Sequence, residues 1–320
     1  MKVLANDGIS KSGIDALEDA GFEVITVKVA QEQLANYINE HDIDVLLVRS
    51  ATTARKELID ACPGLKIIGR GGVGMDNIDV AYAREKGLKV INTPAASSAS
   101  VAELVFGHLF NGVRYLHDSN RNMPLEGDSK FKDLKKSYAG GRELRGKTLG
   151  IIGIGRIGSE VAKIALGCGM RVIVSDSLID ETEVSVSFFD GRSVEFKLKS
   201  QPLETVLAES DFITLHVPAQ KDYIIGKSEI EKMKPGAAII NAARGGVIDE
   251  VALIEALESG KLSFAGLDTF EAEPVPAIKV LMNPNISLSP HIGAATNEAQ
   301  DRIGTELAAQ IIDILKPANS

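Results

Sequence analysis

Short apolar runs alternate with longer amphipathic segments through the first third of the chain. The runs lie at Lys2–Ala5, Glu23–Val27, Val45–Val48, Lys66–Ile68 and Lys89–Ile91. Strands that are almost wholly apolar and separated by helical segments are typical of a parallel sheet covered by helices on both faces. Such strands are joined by right-handed crossovers. The alternation therefore predicts a small, doubly wound α/β domain over residues 1–97.

A second series of the same kind opens at Lys147. Its later strand-like runs lie at Arg171–Ser175, Phe212–Val217, Ala237–Asn241, Phe264–Asp268 and Ile286–Ser289. This spacing matches a six-stranded nucleotide-binding domain of the Rossmann type. The fold class that we predict is α/β, with two doubly wound parallel-sheet domains.

The segment Thr296–Leu315 has a helical period, since its apolar side chains recur on one stripe. These side chains are Ala299, Ile303, Leu307, Ile311 and Leu315. One helix closes no domain by itself, so we expect this one to pack back on the first domain. The predicted organisation is a discontinuous, flavodoxin-like substrate domain of residues 1–97 and 296–320, with the Rossmann domain, residues 98–295, inserted in it.

Two segments interrupt the α/β alternation. Asp118–Arg145 is polar with few apolar anchors, and we interpret it as a connection between the domains. Glu183–Lys199 alternates apolar and polar residues around Asp190 and Gly191, a pair that favours a hairpin turn. We therefore predict a β-hairpin insertion at residues 183–199, which would contact either the adenosine end of a bound ligand or a second subunit.

Composition and charge exclude several classes of protein. The formal net charge of −9 argues against a nucleic-acid partner, because a phosphate-binding surface needs a clustered basic excess. Cys62 and Cys168 form no CxxC motif and have no metal-ligand spacing, which suits buried thiols in a reducing compartment. No apolar run reaches the length of a signal peptide or membrane span. We expect a cytoplasmic protein with no metal site and no membrane contact.

A glycine-rich turn opens the second domain. Gly153, Gly155 and Gly158 stand between a strand-like run and a helix-forming one, in the order that a dinucleotide requires. They would permit the tight turn, the approach of a pyrophosphate to the backbone, and close helix packing, respectively. Asp176 ends the next strand, where an acid hydrogen-bonds the adenine ribose. Its carboxylate would repel a 2′-phosphate, so the motif favours NAD over NADP; the alternative for Asp176 is a helix cap or a solvated turn residue.

Three side chains near predicted strand ends suit the oxidation of an alcohol beside a carboxylate. Arg244 follows a strand, and its planar guanidinium can bind a carboxylate with two hydrogen bonds. His291 is the best proton carrier among five histidines, and Glu273 could hold its tautomer and stabilise the imidazolium. The alternatives are a surface salt bridge for Arg244, a structural role for His291 and a solvated Glu273.

Four segments carry a resemblance to a known family: Gly150–Ser159, Ile240–Asp249, Gly266–Pro274 and Ser289–Thr296. Over nearly its whole length the chain is similar to the D-isomer-specific 2-hydroxyacid dehydrogenases. The resemblance implies a catalytic set of Arg244, Glu273 and His291, with NAD as cofactor and a small 2-hydroxy or 2-keto acid as substrate. To the glycines of the turn, Gly153, Gly155 and Gly158, it adds NAD contacts at Arg156, Ile157, Asp176, His216, Val217, Pro218, Ala242, Ala243, Asp268, Ile292 and Gly293. Of these, Asp268 would accept a hydrogen bond from the nicotinamide carboxamide.

Three segments of the first domain resemble the branch of the family that oxidises 3-phosphoglycerate: Val48–Thr52, Gly69–Asp79 and Val90–Pro94. By that likeness, backbone N–H groups of Val73 and Gly74 would bind the substrate carboxylate beside Arg244, and Arg49 and Arg70 would bind a phosphate. The candidate substrate-binding residues are Arg49, Ser50, Arg70, Val73 and Gly74. Lys135 and Lys136 are further candidates for the phosphate, across a dimer interface if not within one subunit; each of these charges could instead be a solvated surface residue.

The resemblance thus implies oxidation of D-3-phosphoglycerate in a cleft between the two domains of a homodimer that associates through the nucleotide domain. Because the chain ends at Ser320, we expect no serine-sensing regulatory domain. Ser97 stands where some relatives carry a substrate-contacting asparagine, which weakens the substrate assignment.

Two alternatives stay open. One is a glyoxylate or hydroxypyruvate reductase, or a dehydrogenase for another D-2-hydroxy acid. The other is an NAD(H)-sensing, protein-binding module that resembles a transcriptional corepressor and keeps the three catalytic residue types.

Overall fold

A computed structural model describes residues 1–315 and divides the chain into two compact units. Unit 1 contains Met1–Ser100 together with the described chain from Ala294 onward, and unit 2 is Val101–Gly293. Residues 316–320 of the predicted first domain lie outside the described residues. Within residues 1–315, no helix is both long enough and apolar enough to cross a membrane.

The strands are β1 (Lys2–Ala5), β2 (Glu23–Ile25), β3 (Val45–Val48), β4 (Ile67–Arg70), β5 (Lys89–Asn92), β6 (Thr148–Ile152), β7 (Arg171–Ser175), β8 (Glu181–Ser187), β9 (Ser193–Lys199), β10 (Phe212–Leu215), β11 (Ala237–Asn241), β12 (Leu262–Leu267) and β13 (Ile286–Leu288). The helices are α1 (Lys11–Asp19), α2 (Leu34–Glu40), α3 (Lys56–Ala61), α4 (Val80–Glu85), α5 (Ser98–Arg114), α6 (Leu116–Glu126), α7 (Phe131–Ser137), α8 (Arg156–Gly167), α9 (Leu203–Glu209), α10 (Lys227–Lys232), α11 (Glu250–Glu258), α12 (Ile278–Leu281) and α13 (Asn297–Leu315).

The sheet of unit 1 has five parallel strands in the order β2-β1-β3-β4-β5, which is the flavodoxin-like order. Alternate side chains of each strand enter separate hydrophobic clusters on the two faces of the sheet. Helices α2, α3 and α4 cover one face, where Leu46 and Ile68 are buried. Helices α1 and α13 cover the other face, where Leu47 and Ile67 are buried. Both faces are therefore sealed, as the apolar strands predict.

Glycines allow α1 and α13 to cross closely. A Cβ atom on Gly13 would lie 2.8 Å from backbone atoms of Gly304, and one on Gly304 would lie 2.1 Å from Ser10 Oγ. Ile303 and Leu307 of α13 then reach the sheet. The predicted helix over residues 296–315 thus has the buried stripe that its sequence period indicates.

The sheet of unit 2 has six parallel strands in the order β13-β12-β11-β10-β6-β7. The order reverses between β6 and β10, as it does where nucleotides bind in Rossmann folds. The strand that such folds place beyond β7 is reduced to one parallel bridge between Val174 and Ser200, with Gln201 N–H donating to Val174 O at 2.8 Å. The prediction of two doubly wound parallel-sheet domains is confirmed.

The segment between β7 and that bridge forms an antiparallel pair, β8 and β9, in register from Glu181–Lys199 to Ser187–Ser193. Gly191 has φ +85° in the connecting turn, a conformation that glycine adopts without strain. Val184 and Leu198 are buried in the core of unit 2, while Phe189 at the tip is fully exposed. The insertion is therefore anchored at its base and extends into solvent.

The interpretation of Asp118–Arg145 as a loose connection is wrong, because most of the first half of the segment is helical. It contributes to α6 and forms all of α7. Tyr138 joins the two helices, since its hydroxyl donates to Asp118 at 2.7 Å and accepts from Asn122 at 2.8 Å. Polar side chains thus provide contacts that a search for apolar anchors does not detect.

Candidate active site

The glycine turn between β6 and α8 has the space that a dinucleotide needs. Gly153 has φ +91°, and a Cβ atom there would lie 2.5 Å from the carbonyl oxygen of His216. A Cβ atom on Gly158 would lie 2.1 Å from the Gly153 oxygen, so only glycine lets α8 start this close to the turn. At Gly155, by contrast, no atom lies within 4 Å of the Cβ position. The backbone of Gly155 and the first N–H groups of α8, beginning at the exposed Arg156, are therefore accessible to an anion.

Asp176 lies beside this turn. One carboxylate oxygen accepts from Ile154 N–H at 2.8 Å, and the other accepts from Leu178 N–H at 2.8 Å and Ile179 N–H at 3.1 Å. Ser200 Oγ accepts from the Asp176 N–H at 2.8 Å and donates to the Asp176 carbonyl at 3.0 Å. Since a carboxylate offers about four acceptor positions, one remains for a ribose hydroxyl.

His216 follows β10 on the other side of the turn. Its Nε2 lies 3.0 Å from Thr214 Oγ1, and burial lowers the pKa of the imidazole to about 3, so the ring is neutral. Within residues 1–315 its buried Nδ1 has no hydrogen-bond partner. Val217 is half-buried and Pro218 exposed, so this loop could form one wall of a cofactor site.

The three predicted catalytic residues follow neighbouring strands. Arg244 comes after β11, Glu273 after β12 and His291 after β13, and these strands are adjacent and parallel. Their carboxyl ends lie at one edge of the sheet, the edge at which α/β proteins bind ligands. The fold of unit 2 thus brings together three residues that lie far apart in the sequence.

The side chain of Asn241 shapes the turn that carries Arg244. Its Nδ2 donates to the Arg244 carbonyl at 2.8 Å, and its Oδ1 accepts from Ala243 N–H at 3.0 Å. A Cβ atom on Gly245 would lie 1.8 Å from the carbonyl oxygen of Phe270. The turn therefore lies directly against the loop that leads to Glu273.

His291 and Glu273 form the geometry of an acid–base pair. His291 Nδ1 lies 2.8 Å from Glu273 Oε2, and Glu273 Oε1 accepts from Phe270 N–H at 3.0 Å. The imidazole side chain is 43% exposed and the carboxylate 36%, so the pair is accessible from solvent. With Nδ1–H directed to the carboxylate, Nε2 is the nitrogen that can exchange a proton with a ligand.

Asp268 has a structural role that the sequence does not indicate. Its carboxylate is almost fully buried and accepts from Ser289 Oγ at 2.6 Å and from the backbone N–H groups of Ile292 and Gly293 at 2.8 Å each. It therefore holds the loop on both sides of His291. Three of about four acceptor positions are occupied, so one could still serve the carboxamide.

The predicted substrate-binding residues lie at the carboxyl ends of β3 and β4 in unit 1. Asp7 accepts from Arg49 N–H at 2.7 Å, and Asn77 Nδ2 donates to the Arg49 carbonyl at 2.7 Å. The Arg70 guanidinium lies so close to Gly72 that a Cβ atom there would fall 1.7 Å from its Nη1. Arg49 and Arg70 therefore share one edge of the unit 1 sheet.

The remaining candidates of this group differ in exposure. Asn92 Nδ2 donates to the Val73 carbonyl at 2.7 Å, which orders the half-buried Val73–Gly74 backbone. Ser50 is exposed at the end of β3. Lys135 and Lys136 are exposed on α7, which belongs to unit 2. The structure thus groups the catalytic and cofactor candidates in unit 2 and all five principal substrate candidates in unit 1.

Known proteins match this chain over most of its length. A model of the D-isomer specific 2-hydroxyacid dehydrogenase NAD-binding domain matches residues 106–293. A hydroxypyruvate reductase of Thermotoga maritima is 44% identical over 316 residues, with 97% of each chain covered. A D-3-phosphoglycerate dehydrogenase of Methanocaldococcus jannaschii is 42% identical over 318 residues, which are 99% of this chain but 58% of the relative.

A solved structure of an NAD⁺-bound 3-phosphoglycerate dehydrogenase of Entamoeba histolytica superposes with a TM-score of 0.76 at 30% identity, covering 99% of this chain and 96% of the other. NAD as the cofactor is thereby confirmed, as is the resemblance found in the sequence. The chain belongs to the D-isomer-specific 2-hydroxyacid dehydrogenases, a family of NAD-dependent oxidoreductases.

Proposed function

We propose that the protein interconverts a D-2-hydroxy acid and its 2-keto acid, with Arg244, Glu273 and His291 as the catalytic residues. The observation that carries this proposal is the 2.8 Å contact between His291 Nδ1 and Glu273 Oε2 at the edge of the sheet where Arg244 also lies. Acid–base catalysis needs such a pair. The NAD(H)-sensing alternative keeps the same residue types, so turnover is the measurement that separates the two functions.

Oxidation removes a hydride from C2 and a proton from the hydroxyl group, leaving the keto acid. Bound NAD supplies the two-electron acceptor for that hydride. The Arg244 guanidinium would bind the substrate carboxylate and orient C2. His291 Nε2 would take the hydroxyl proton, and Glu273 would stabilise the resulting imidazolium through Nδ1–H. In reduction the same imidazolium would return the proton to the keto oxygen.

We propose that NAD binds at the glycine turn between β6 and α8, where the geometry suits two parts of the cofactor. The open position at Gly155 and the remaining acceptor position on Asp176 suit the pyrophosphate and the ribose. The further contacts that we propose are Gly153, Arg156, Ile157, Gly158, His216, Val217, Pro218, Ala242, Ala243, Asp268, Ile292 and Gly293.

For the substrate we propose D-3-phosphoglycerate, with 3-phosphohydroxypyruvate as the product, which is the first step of serine biosynthesis. Two arginines at one sheet edge in unit 1, Arg49 and Arg70, support a substrate with a phosphate in addition to its carboxylate. Ser50 and the backbone of Val73 and Gly74 would complete the contacts.

Hydroxypyruvate is the second candidate substrate. The observation that favours it is the Thermotoga maritima relative, a hydroxypyruvate reductase that matches this chain over 97% of both lengths. The phosphoglycerate dehydrogenase relative of Methanocaldococcus jannaschii is much longer than the matched region. Hydroxypyruvate lacks a phosphate, so Arg49 and Arg70 would contribute little to its binding.

Steady-state kinetics separate these substrates. NADH oxidation is followed with 3-phosphohydroxypyruvate, hydroxypyruvate and glyoxylate, and NADH formation with 3-phosphoglycerate under alkaline, product-trapping conditions. Loss of a charged hydrogen bond costs about 1.5–3 kcal/mol, so Arg49→Ala and Arg70→Ala should each lower kcat/KM for the phosphorylated substrate by roughly 10- to 100-fold. Hydroxypyruvate turnover should change little, and Arg192→Ala, on the exposed hairpin, is the control.

Four outcomes would revise the proposal. If Arg49→Ala and Arg70→Ala lowered kcat/KM equally for both substrates, 3-phosphoglycerate would be excluded as the substrate. A wild-type preference for hydroxypyruvate would exclude it too, and in either case the protein would be a hydroxypyruvate reductase. His291→Ala should lower kcat by about 10²- to 10⁴-fold with NADH affinity retained, and full turnover by that variant would refute the catalytic assignment. NADH binding without turnover of any of these acids would favour the sensing module.

We also propose a homodimer that associates through unit 2. Leu116, Leu125 and Phe131 on α6 and α7 are 50%, 76% and 57% exposed, and a surface of this kind supports association. Sedimentation equilibrium of the wild type and of Leu125→Glu measures the subunit number directly; a wild-type monomer would contradict the proposal.

A further inference from the structure

A buried histidine, His108, lies close to the loop that carries His291, and the proposed chemistry does not use it. His108 is on α5 and is 4% exposed. Its Nδ1 lies 2.8 Å from Ser287 Oγ and its Nε2 lies 2.9 Å from Ser289 Oγ. A Cβ atom on Gly266 would fall 2.7 Å from His108 Cβ, so glycine at that position of β12 makes room for the ring.

Donor and acceptor requirements fix the direction of these hydrogen bonds. Ser289 Oγ lies 2.6 Å from Asp268, and a carboxylate can only accept, so the Ser289 hydroxyl proton is directed there. Ser289 Oγ must then accept from His108 Nε2–H. At the other end, Asn111 Nδ2 donates to Ser287 Oγ at 2.8 Å, which leaves the Ser287 proton for His108 Nδ1. Burial lowers the pKa of His108, in agreement with a neutral ring that is protonated on Nε2.

The same chain of hydrogen bonds ends on the backbone around the catalytic histidine. Asp268 accepts from Ile292 N–H and Gly293 N–H, and His291 itself has φ +54°, in the left-handed region that residues other than glycine rarely adopt. A strained backbone of this kind persists only where its surroundings fix it. Asp268 thus contacts the backbone loop on both sides of the strained residue, through Ser289 before it and through Ile292 and Gly293 after it.

We propose that His108 is a positioning residue which, through Ser289 and Asp268, holds the His291 loop so that the imidazole keeps its bond to Glu273. The inference rests on the proposed catalytic role of His291. His108 touches neither substrate nor cofactor in this scheme. His108 contributes the Nε2–H group that donates to Ser289 Oγ. This bond orients the Ser289 hydroxyl so that it donates its proton to Asp268.

Four variants test the donor and acceptor directions of the hydrogen bonds that link His108, Ser289 and Asp268. His108→Leu removes both polar contacts of the ring, and Ser289→Ala removes the link to Asp268. In His108→Gln the amide can reach the position of Nε2, whereas in His108→Asn it can reach only that of Nδ1. Since a displacement of about 1 Å in a catalytic group costs up to about 10²-fold in rate, we expect kcat about tenfold lower in the Leu, Asn and Ala variants, with KM for the keto acid unchanged.

His108→Gln should restore most of kcat. The measurement is kcat per NADH-binding site, so that a misfolded fraction does not count, together with the melting temperature. If the Gln and Asn variants lose kcat equally and in proportion to stability, His108 is merely structural and the proposal is wrong. Wild-type kcat in the Leu or Ala variant would also overturn it.

A second readout does not depend on turnover. The chain has five histidines, so the two-bond ¹⁵N–¹H spectrum of histidine-labelled protein, assigned with His108→Leu, reports the tautomer of each ring. We expect His108 as the neutral Nε2–H form. The Nδ1–H form or an imidazolium at neutral pH would overturn the proposed chain. An inactive wild type with the expected tautomer would refute the proposed function but retain the hydrogen-bond chain.

Discussion

A methyl group at Gly245 should separate the two loops that carry the catalytic residues. The ideal Cβ position lies 1.8 Å from the Phe270 carbonyl oxygen, whereas real Cβ atoms stay at least 3.0 Å away, so the loops must part by about 3.0 − 1.8 = 1.2 Å. Overpacking of this size costs about 1–3 kcal/mol of folding free energy. A displacement of about 1 Å between catalytic groups costs up to about 10²-fold in rate. We therefore expect Gly245→Ala to lower kcat by about 10²-fold while the protein stays folded.

The neighbouring glycine supplies a matched control. Gly246 has φ +77°, and no atom lies within 4 Å of its Cβ position, so Gly246→Ala adds backbone strain without a clash. That strain costs about 1–2 kcal/mol, which is similar to the expected cost of Gly245→Ala. Keto acid reduction is measured by NADH absorbance, and NADH affinity by its fluorescence, which no tryptophan obscures in this chain. Wild-type kcat in Gly245→Ala, or an equal loss in Gly246→Ala, would refute the reasoning.

Two further predictions concern carboxylates of unit 2, the half-buried Asp176 and the buried Glu250. Asp176→Ala should raise KM for NADH by roughly tenfold, since charged hydrogen bonds contribute about 1.5–3 kcal/mol. It should also lower the ratio of kcat/KM with NADH to kcat/KM with NADPH, and an unchanged ratio would contradict the prediction. Burial, together with the carboxylate of Glu271, raises the pKa of Glu250 above its ordinary value of 4.5. Between pH 4.5 and the raised pKa, the folded protein therefore keeps a proton on Glu250 that the unfolded chain has released. Stability then falls as pH rises through that window. Glu250→Gln, which can still accept from Glu271 N–H, should melt higher than the wild type at neutral pH, with the difference disappearing in acid; equal melting temperatures at neutral pH would refute the argument.

The parts of the fold that depend on local periodicity could be predicted from the sequence. The strands of both sheets are short apolar runs, and α13 shows its buried stripe in the spacing of Ile303, Leu307 and Ile311. The glycine turn could be interpreted because each glycine has a separate steric reason, which the Cβ positions at Gly153, Gly155 and Gly158 reproduce. In such places the physical requirement is met by a few consecutive residues.

Features that depend on distant partners could not be predicted in this way. His108 is 179 and 181 residues from the serines that it contacts, and neither has a signal of its own in the sequence. For Asp268 the sequence predicts only a cofactor contact. Its three hydrogen bonds within the chain are to the loop that follows β13, a different strand, so no local pattern around Asp268 indicates them. Helices α6 and α7 were missed because polar contacts such as that of Tyr138 leave no apolar period.

The place of α13 in unit 1 has a consequence for the order in which the protein folds during synthesis. The face of the unit 1 sheet that contains Val45 and Leu47 is covered partly by Ile303 and Leu307, which leave the ribosome some 250 residues later. Unit 2 is continuous in sequence and can bury its core before then. We therefore expect the second unit to fold first, while the nascent first unit keeps an apolar surface that a chaperone could bind until α13 emerges.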